Sequence, residues 1–164
     1  MEDSQRQNFQ TPVWGPMSWT LNHLLALSYP VQPSKKMRRL YAVKIITDFE
    51  LLMCSKCVEN LPENLRKMGI EFKGAMPTVA EFEKTPYLEN RETLFYFFFA
   101  LHNWVNAMLG KRVIPLHKYD VVKGYYQQFA AKCSVNKNIE ESGCMDADDG
   151  YKPCQSKVVI LLRE

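Results

Sequence analysis

The chain has 164 residues, of which 46% are hydrophobic and 12% aromatic, and its formal net charge is +3. This length predicts one domain with room for a tail, and it allows a core that needs no disulfide staples. Because basic and acidic residues are interleaved, the charge argues against nucleic-acid binding, and we interpret the basic cluster Lys35–Arg39 as the solvated start of a helix.

The apolar runs of the sequence indicate the cellular compartment, because none of them has the features of a signal peptide or a membrane span. Met1–Gln10 is polar and has no apolar centre of a signal peptide. The densest apolar run, Leu94–Leu101, has about half the length that a membrane span needs. We therefore expect a protein made in the cytosol that binds no membrane. Five cysteines in such a protein favour redox chemistry or metal binding over a structural disulfide framework.

The spacing of apolar residues predicts helices almost throughout. A first helix begins at Trp14–Pro16, with Pro16 in its first turn. It ends at Tyr29–Pro30, because the residue before a proline avoids the helical region. Ser34 is placed to cap a second helix that runs to about Met53.

Three more helices follow in the prediction. The third covers Cys54–Met68, is interrupted near Pro62 and is closed by Gly69. The fourth, Arg91–Leu109, is apolar nearly all round, which predicts a central position among the helices. A fifth, shorter helix covers Lys118–Lys132.

The composition changes after the fifth helix. We expect an N-terminal extension at 1–13, a functional domain at 14–132 and a cysteine-bearing, irregular C-terminal tail at 133–164, where polar residues dominate. The tail ends in the apolar run Val158–Leu162. This run either packs on the helical domain or adds a strand, and the sequence does not decide between the two.

The pair Cys54 and Cys57 is the strongest chemical signal, and it suits either redox chemistry or a metal. A zinc site needs four ligands, and Cys144 and Cys154 are too far apart in sequence for a second knuckle. Met76–Thr78 imitates the proline loop of a thioredoxin, but the segment before the pair is predicted to be helical rather than a strand. Redox chemistry is therefore favoured, with two buried apolar cysteines as the plainer alternative.

An ordered set of motifs resembles the Erv/ALR family of FAD-linked sulfhydryl oxidases, over about Trp14 to Cys133. The residues that carry the resemblance are, in chain order, Trp14-Gly15-Pro16, Trp19, His23, Tyr29-Pro30, Cys54 with Cys57, and His102-Asn103-Trp104-Val105-Asn106-Ala107-Met108-Leu109-Gly110-Lys111. Any one motif is weak evidence, whereas the set in this order is specific.

The resemblance implies an all-α fold, a four-helix bundle with a short fifth helix, that binds FAD non-covalently and forms a homodimer. The residues that it implies for the cofactor are Trp14, Gly15, Trp19, His23, Cys57, His102, Asn103, Val105, Asn106, Leu109, Lys111 and Lys118. For Lys118 an exposed lysine without a ligand remains the alternative. No metal is implied.

The resemblance also implies the direction of electron flow. Cys57 faces the flavin, Cys54 exchanges with the substrate dithiol, and oxygen accepts the electrons to give hydrogen peroxide. The family usually has a proline where this chain has Met53, and a second disulfide whose first cysteine is replaced here by Leu116, so that Cys133 lacks that partner.

The remaining expectations concern the tail and the partners. Cys144 and Cys154 are either a shuttle that relays electrons to Cys54 or a structural disulfide, and both alternatives stay open. The chain most resembles the oxidases of large cytoplasmic DNA viruses, which implies the host cytoplasm and the virion as locations. It implies a thioredoxin-like relay protein or virion proteins as substrates. The alternative function is a non-enzymatic, zinc-binding interaction module.

Overall fold

A computed structural model describes residues 7–130 of the chain, and within that range it consists of helices and connections without a strand. The α-helices are α1 Thr11–Ser28, α2 Lys35–Glu50, α3 Ser55–Lys67, α4 Val79–Glu83, α5 Arg91–Met108 and α6 Tyr119–Gln127. The prediction of an all-helical fold is confirmed. None of the helices between residues 7 and 130 combines the length and apolar character needed to cross a membrane.

The chain divides into two compact units, Met1–Val113 and Ile114–Glu164, of which the structure describes residues 7–113 and 114–130. The first unit holds the four long helices and α4. The second unit holds a short 3₁₀ turn, Leu116–Lys118, followed by α6. The predicted fifth helix is thus present but ends at Gln127, and the predicted end at Lys132 lies outside the described residues.

Helix α1 begins one turn before the prediction. It starts at Thr11, with Pro12 in the opening positions, where a missing N–H breaks no helical bond. The prediction that Pro16 occupies the first turn is therefore wrong, because Pro12 already takes that role and Pro16 lies inside the helix. The helix stops before Pro30, as predicted, and the Tyr29 hydroxyl donates to the carbonyl of Leu88 at 2.9 Å.

The ends of α2 and α3 follow from local chemistry. Ser34 caps α2, because its hydroxyl accepts the Met37 N–H at 3.2 Å, as predicted. The predicted interruption at Pro62 is wrong: α3 continues through this residue to Lys67. Burial of the neighbouring Leu61 and Leu65 accounts for this, since packing of an apolar face outweighs one lost hydrogen bond.

Helix α5 is the centre of the first unit, as its apolar sequence predicts. Asn90 and Thr93 cap its start reciprocally, and Gly110 ends it with a φ of 65°, a conformation that favours glycine. Phe97 on α5 is completely buried, and its ring contacts those of Phe82 and Phe98 edge-on at 5.3 and 5.0 Å. This aromatic core fixes α5 against its neighbours.

Candidate functional site

The two cysteines of the motif lie at the start of α3 and form a disulfide. Cys54 is the residue just before the helix, and Cys57 lies within the first turn, so their Cα atoms are 5.2 Å apart, within the usual range for a disulfide. The Cys57 N–H points at the Cys54 sulfur, 3.2 Å away. The pair therefore occupies the positive end of a helix, where N–H groups favour a thiolate when the bond is reduced.

The two sulfur atoms have different surroundings. The Thr11 hydroxyl at the start of α1 lies 4.0 Å from the Cys57 sulfur, and it is the donor because a disulfide sulfur carries no hydrogen. Cys57 thus faces α1, while Cys54 follows the exposed Met53 on the loop that enters α3. Both cysteines are half-buried, so a partner thiol reaches the pair from solvent.

The segment before α1 holds the disulfide loop in place, a feature that the sequence analysis missed. The Asn8 side chain accepts the Ser55 N–H at 2.8 Å. The Phe9 N–H donates to the Met53 carbonyl at 2.9 Å, and the Phe9 carbonyl accepts the indole N–H of Trp14 at 3.2 Å. We call residues Asn8, Phe9 and Met53–Cys57 the disulfide end of the first unit. Trp14, predicted to bind the cofactor, also stabilises this end.

A second cluster joins α1 to α5. The rings of Trp19 and His102 are stacked, with centroids 4.2 Å apart and planes inclined by 5°. The ring of His23, one turn after Trp19, lies 5.9 Å from His102 and 5.1 Å from Phe95. We call Trp19, His23 and His102 the ring stack. The structure thus brings together three of the predicted cofactor residues from two helices.

Burial keeps both imidazoles of the ring stack neutral. Desolvation, with a smaller contribution from the neighbouring His102, lowers the pKa of His23 to about 3. Desolvation, with a smaller contribution from the Lys111 ammonium, lowers the pKa of His102 to about 4. At neutral pH the ring stack is therefore an uncharged cluster in which the Trp19 and His102 rings are parallel and the His23 ring is inclined by 38° to that of His102. The Lys111 ammonium is near enough to act on His102.

The other predicted cofactor residues differ in position and burial. Gly15 is buried in α1; on α5, Asn106 is buried, and Asn103 and Val105 are half-buried. Leu109 follows the last residue of α5 and is exposed, as is Lys111, whose N–H donates to the Asn106 carbonyl at 2.8 Å. Lys118 is exposed and ends the 3₁₀ turn of the second unit.

The structure also bears on the alternatives for the cysteines. Among residues 7–130, no group of three or more His, Cys, Asp or Glu side chains is arranged to hold a metal. Cys133, Cys144, Cys154 and the run Val158–Leu162 lie outside the described residues.

Comparison with known proteins places these features in a family context. A family model described as "Erv1 / Alr family" matches residues 16–127. The chain is 30% identical over 101 residues to a probable FAD-linked sulfhydryl oxidase of Acanthamoeba polyphaga mimivirus, a match that covers 62% of this chain and 62% of that protein. It is 30% identical over 128 residues to an FAD-linked sulfhydryl oxidase of African swine fever virus, which covers 77% of this chain and 87% of the viral protein.

Solved structures show the same fold. The FAD-binding domain of Erv1 from Saccharomyces cerevisiae superposes with a TM-score of 0.54 at 23% identity, covering 70% of this chain and 93% of the yeast domain. The yeast Erv1 core gives a TM-score of 0.53 at 22% identity, covering 73% of this chain and 92% of the core.

Proposed function

The chain belongs to the Erv1/Alr family, and on that premise we propose that it is an FAD-dependent thiol oxidase that makes disulfide bonds in substrate proteins. The observation that carries the proposal is the half-buried Cys54–Cys57 disulfide at the start of α3. A half-buried disulfide at a helix start is reducible by an incoming thiol, unlike one sealed in a core.

The first stage is thiol–disulfide exchange on the chain's own cysteines. A substrate thiolate attacks the Cys54 sulfur, the Cys54–Cys57 bond breaks, and Cys57 leaves as the thiolate. The second substrate thiol then attacks the substrate sulfur that is bonded to Cys54, which closes the substrate disulfide and releases Cys54 as a thiolate. The substrate has lost two electrons and two protons, and Cys54 and Cys57 have gained the two electrons.

The start of α3 favours the charged sulfurs that this exchange produces. The Cys57 N–H donates to the Cys54 sulfur, and the first turn also carries the Lys56 ammonium. Helix N–H groups and a nearby cation both stabilise a thiolate. The Thr11 hydroxyl provides a donor on the Cys57 side. The roles are thus Cys54 for exchange with the substrate and Cys57 for transfer towards α1.

The residues around α1 and α5 fit FAD. The half-buried ring of Trp19, parallel to that of His102, offers a neutral aromatic group for a planar ring to pack against, and the amides of Asn103 and Asn106 suit the polar edges of such a ring. Lys111 suits the pyrophosphate, and we propose the same for Lys118. When bound, FAD would supply the two-electron chemistry that links the reduced cysteines to oxygen, with hydrogen peroxide as the product.

The partners and location are proposed from the relatives. We propose protein dithiols as substrates, with virion proteins or a thioredoxin-like relay as the specific ones, in the host cytoplasm. We also propose a homodimer. Cys144 and Cys154 are proposed as either a shuttle to Cys54 or a structural disulfide. Replacing both with serine tests the shuttle, because unchanged turnover of a protein dithiol would rule it out.

The central experiment uses the flavin's own absorbance. The purified protein is expected to be yellow, and its absorbance near the flavin maximum is expected to bleach when a dithiol is added without oxygen and to return when oxygen is admitted. A colourless protein that carries zinc would instead support the alternative, a zinc-binding interaction module.

A further inference from the structure

Three exposed apolar side chains lie on the two segments that meet at Cys54. Phe9, Leu51 and Met53 are 53%, 58% and 41% exposed. We call these residues the apolar collar. Large apolar side chains that cluster on a surface beside a reactive group mark a binding site more often than scattered ones do.

The collar is built from separate segments that hydrogen bonds hold together. The Phe9 N–H donates to the Met53 carbonyl at 2.9 Å, so the two collar residues are backbone neighbours. The Asn8 side chain accepts the Ser55 N–H at 2.8 Å and fixes the same segment to the start of α3. Leu51 lies two residues before Met53 on the connection from α2. The backbone of Phe9 is therefore held beside that of Met53, the residue directly before Cys54.

Because the collar lies beside Cys54, the partner that covers it is the substrate that reaches this cysteine. Under the proposed function a substrate sulfur must approach the Cys54 sulfur in line with the Cys54–Cys57 bond, so the substrate residues beside that sulfur lie on the surface around Cys54. Met53 directly precedes Cys54, and Phe9 is hydrogen-bonded to Met53, so the collar residues lie beside this surface, and their three side chains carry no charge. Apolar substrate side chains lose water against these three side chains without leaving a charge unpaired, whereas charged ones lose hydration without gaining a partner from the collar itself.

We propose that the apolar collar is the docking site for substrate proteins and that it selects dithiol segments whose cysteines are flanked by large apolar side chains. The inference rests on the proposed function, because it assigns the surface from which the substrate reaches Cys54. It assigns substrate selection to Met53, at the position where the family usually has a proline, and to Phe9, a residue outside the helices.

The test compares three dithiol substrates on the purified holoenzyme. Two are short synthetic peptides with the same Cys-x-x-Cys sequence, one flanked by leucine and phenylalanine and the other by serine; the third is dithiothreitol. We expect the wild-type protein to oxidise the apolar-flanked peptide with a kcat/KM at least ~10-fold higher than the serine-flanked one, mainly through KM. Oxygen consumption provides the rates.

Two double variants locate the effect. In Phe9→Ser/Met53→Ser the ratio of kcat/KM for the apolar peptide to that for dithiothreitol is expected to fall ~10-fold. The matched control is Val13→Ser/Met17→Ser, which removes two apolar side chains that are each 65% exposed on α1. Val13 and Met17 point away from Thr11 and the disulfide, since each helical residue turns by about 100°. The control is expected to keep the wild-type ratio.

The outcomes separate the two proposals. No oxidation of dithiothreitol by the wild-type holoenzyme would count against the proposed function itself. Oxidation of dithiothreitol with equal rates for the two peptides would overturn the collar while leaving the oxidase intact. A peptide preference that survives in Phe9→Ser/Met53→Ser, or that is lost equally in the control, would also overturn it. If the double variant does not fold, Met53→Gln alone is expected to lower the same ratio, and an unchanged ratio there would overturn the collar too.

Discussion

At the disulfide end, polar contacts position the reactive group: Asn8 and Phe9 bond to the loop around Met53, and the chemistry faces solvent. At the ring stack, two uncharged imidazoles, one from α1 and one from α5, lie buried beside the Trp19 and Phe95 rings. One unit thus contains two sites of different character. The disulfide end offers half-buried sulfurs at the start of a helix, whereas the ring stack offers uncharged rings of which the two imidazoles are buried.

The largest effect is expected at the sulfur that faces α1. Cys57→Ser removes the thiol that we propose to pass electrons on, so turnover is expected to fall by about 10³-fold or more, as for loss of a nucleophile. FAD content is expected to stay near the wild-type level, because the ring stack is unchanged. Dithiol-dependent oxygen consumption and flavin absorbance measure the two properties in the same sample.

The control for Cys57→Ser is Thr11→Val, which removes the neighbouring hydroxyl and keeps both sulfurs. Its turnover is expected to drop by less than about tenfold, the size of one weak hydrogen bond. Normal oxidation by Cys57→Ser would show that the role assigned to this cysteine is wrong.

The second prediction concerns pH and distinguishes the ring stack from the disulfide end. The folded pKa values of His23 and His102 are about 3 and about 4, against an ordinary value of 6.5. Below pH 6.5 the unfolded chain therefore binds protons that the folded chain does not, so the free energy of unfolding falls as the pH falls. Between pH 7 and pH 5 we expect a loss of about 2 kcal/mol for each imidazole, measured by urea unfolding.

A substitution can show which histidine causes the pH dependence of the free energy of unfolding. His102→Gln is expected to remove about half of the slope, whatever its effect on stability at pH 7. A wild-type free energy of unfolding that stays constant from pH 7 to pH 5 would contradict the neutral, buried state of the ring stack.

The third prediction tests the aromatic face of the ring stack. Trp19→Ala removes the ring that is stacked on His102 at 4.2 Å, so FAD affinity is expected to fall by about 10- to 100-fold. Titration of the apoprotein with FAD, followed by flavin fluorescence, measures this. Trp104→Ala on α5 removes a ring that is 39% exposed, and it is expected to leave affinity unchanged. Equal FAD affinities in the two variants would mean that the stack does not hold the cofactor.

Features of both regions that depend only on residues close in sequence could be predicted. Helix signals act over a few residues, so the cap at Ser34 and the end of α5 at Gly110 were predictable. The disulfide of Cys54 and Cys57 needs only one helical turn between its two residues. Pro62 shows where local rules fail. A proline predicts a break in a helix, but α3 continues through Pro62 because the neighbouring residues pack in the core. Such packing involves distant segments and cannot be inferred from the local sequence.

The contacts between distant segments could not be predicted. Asn8 and Ser55 are 47 positions apart, and Thr11 and Cys57 are 46 apart, and no spacing rule connects such residues. Resemblance to a family could point to His102, but not to its stack on Trp19, which depends on how α1 packs against α5. Long-range geometry is therefore what the structure adds at both regions.

The smallest predicted effect tests whether the polar contacts of the disulfide end contribute to stability. Asn8→Ala removes the acceptor of the Ser55 N–H, one of the orphan donors at the start of α3, so the free energy of unfolding is expected to fall by about 1 kcal/mol. Asn8→Asp keeps an acceptor in the same place and is expected to lose less. Urea unfolding at pH 7 measures both. If alanine and aspartate gave the same stability as asparagine, the segment before α1 would be a passive neighbour of the disulfide, and the contrast between a polar, bonded end and a packed ring stack would be lost.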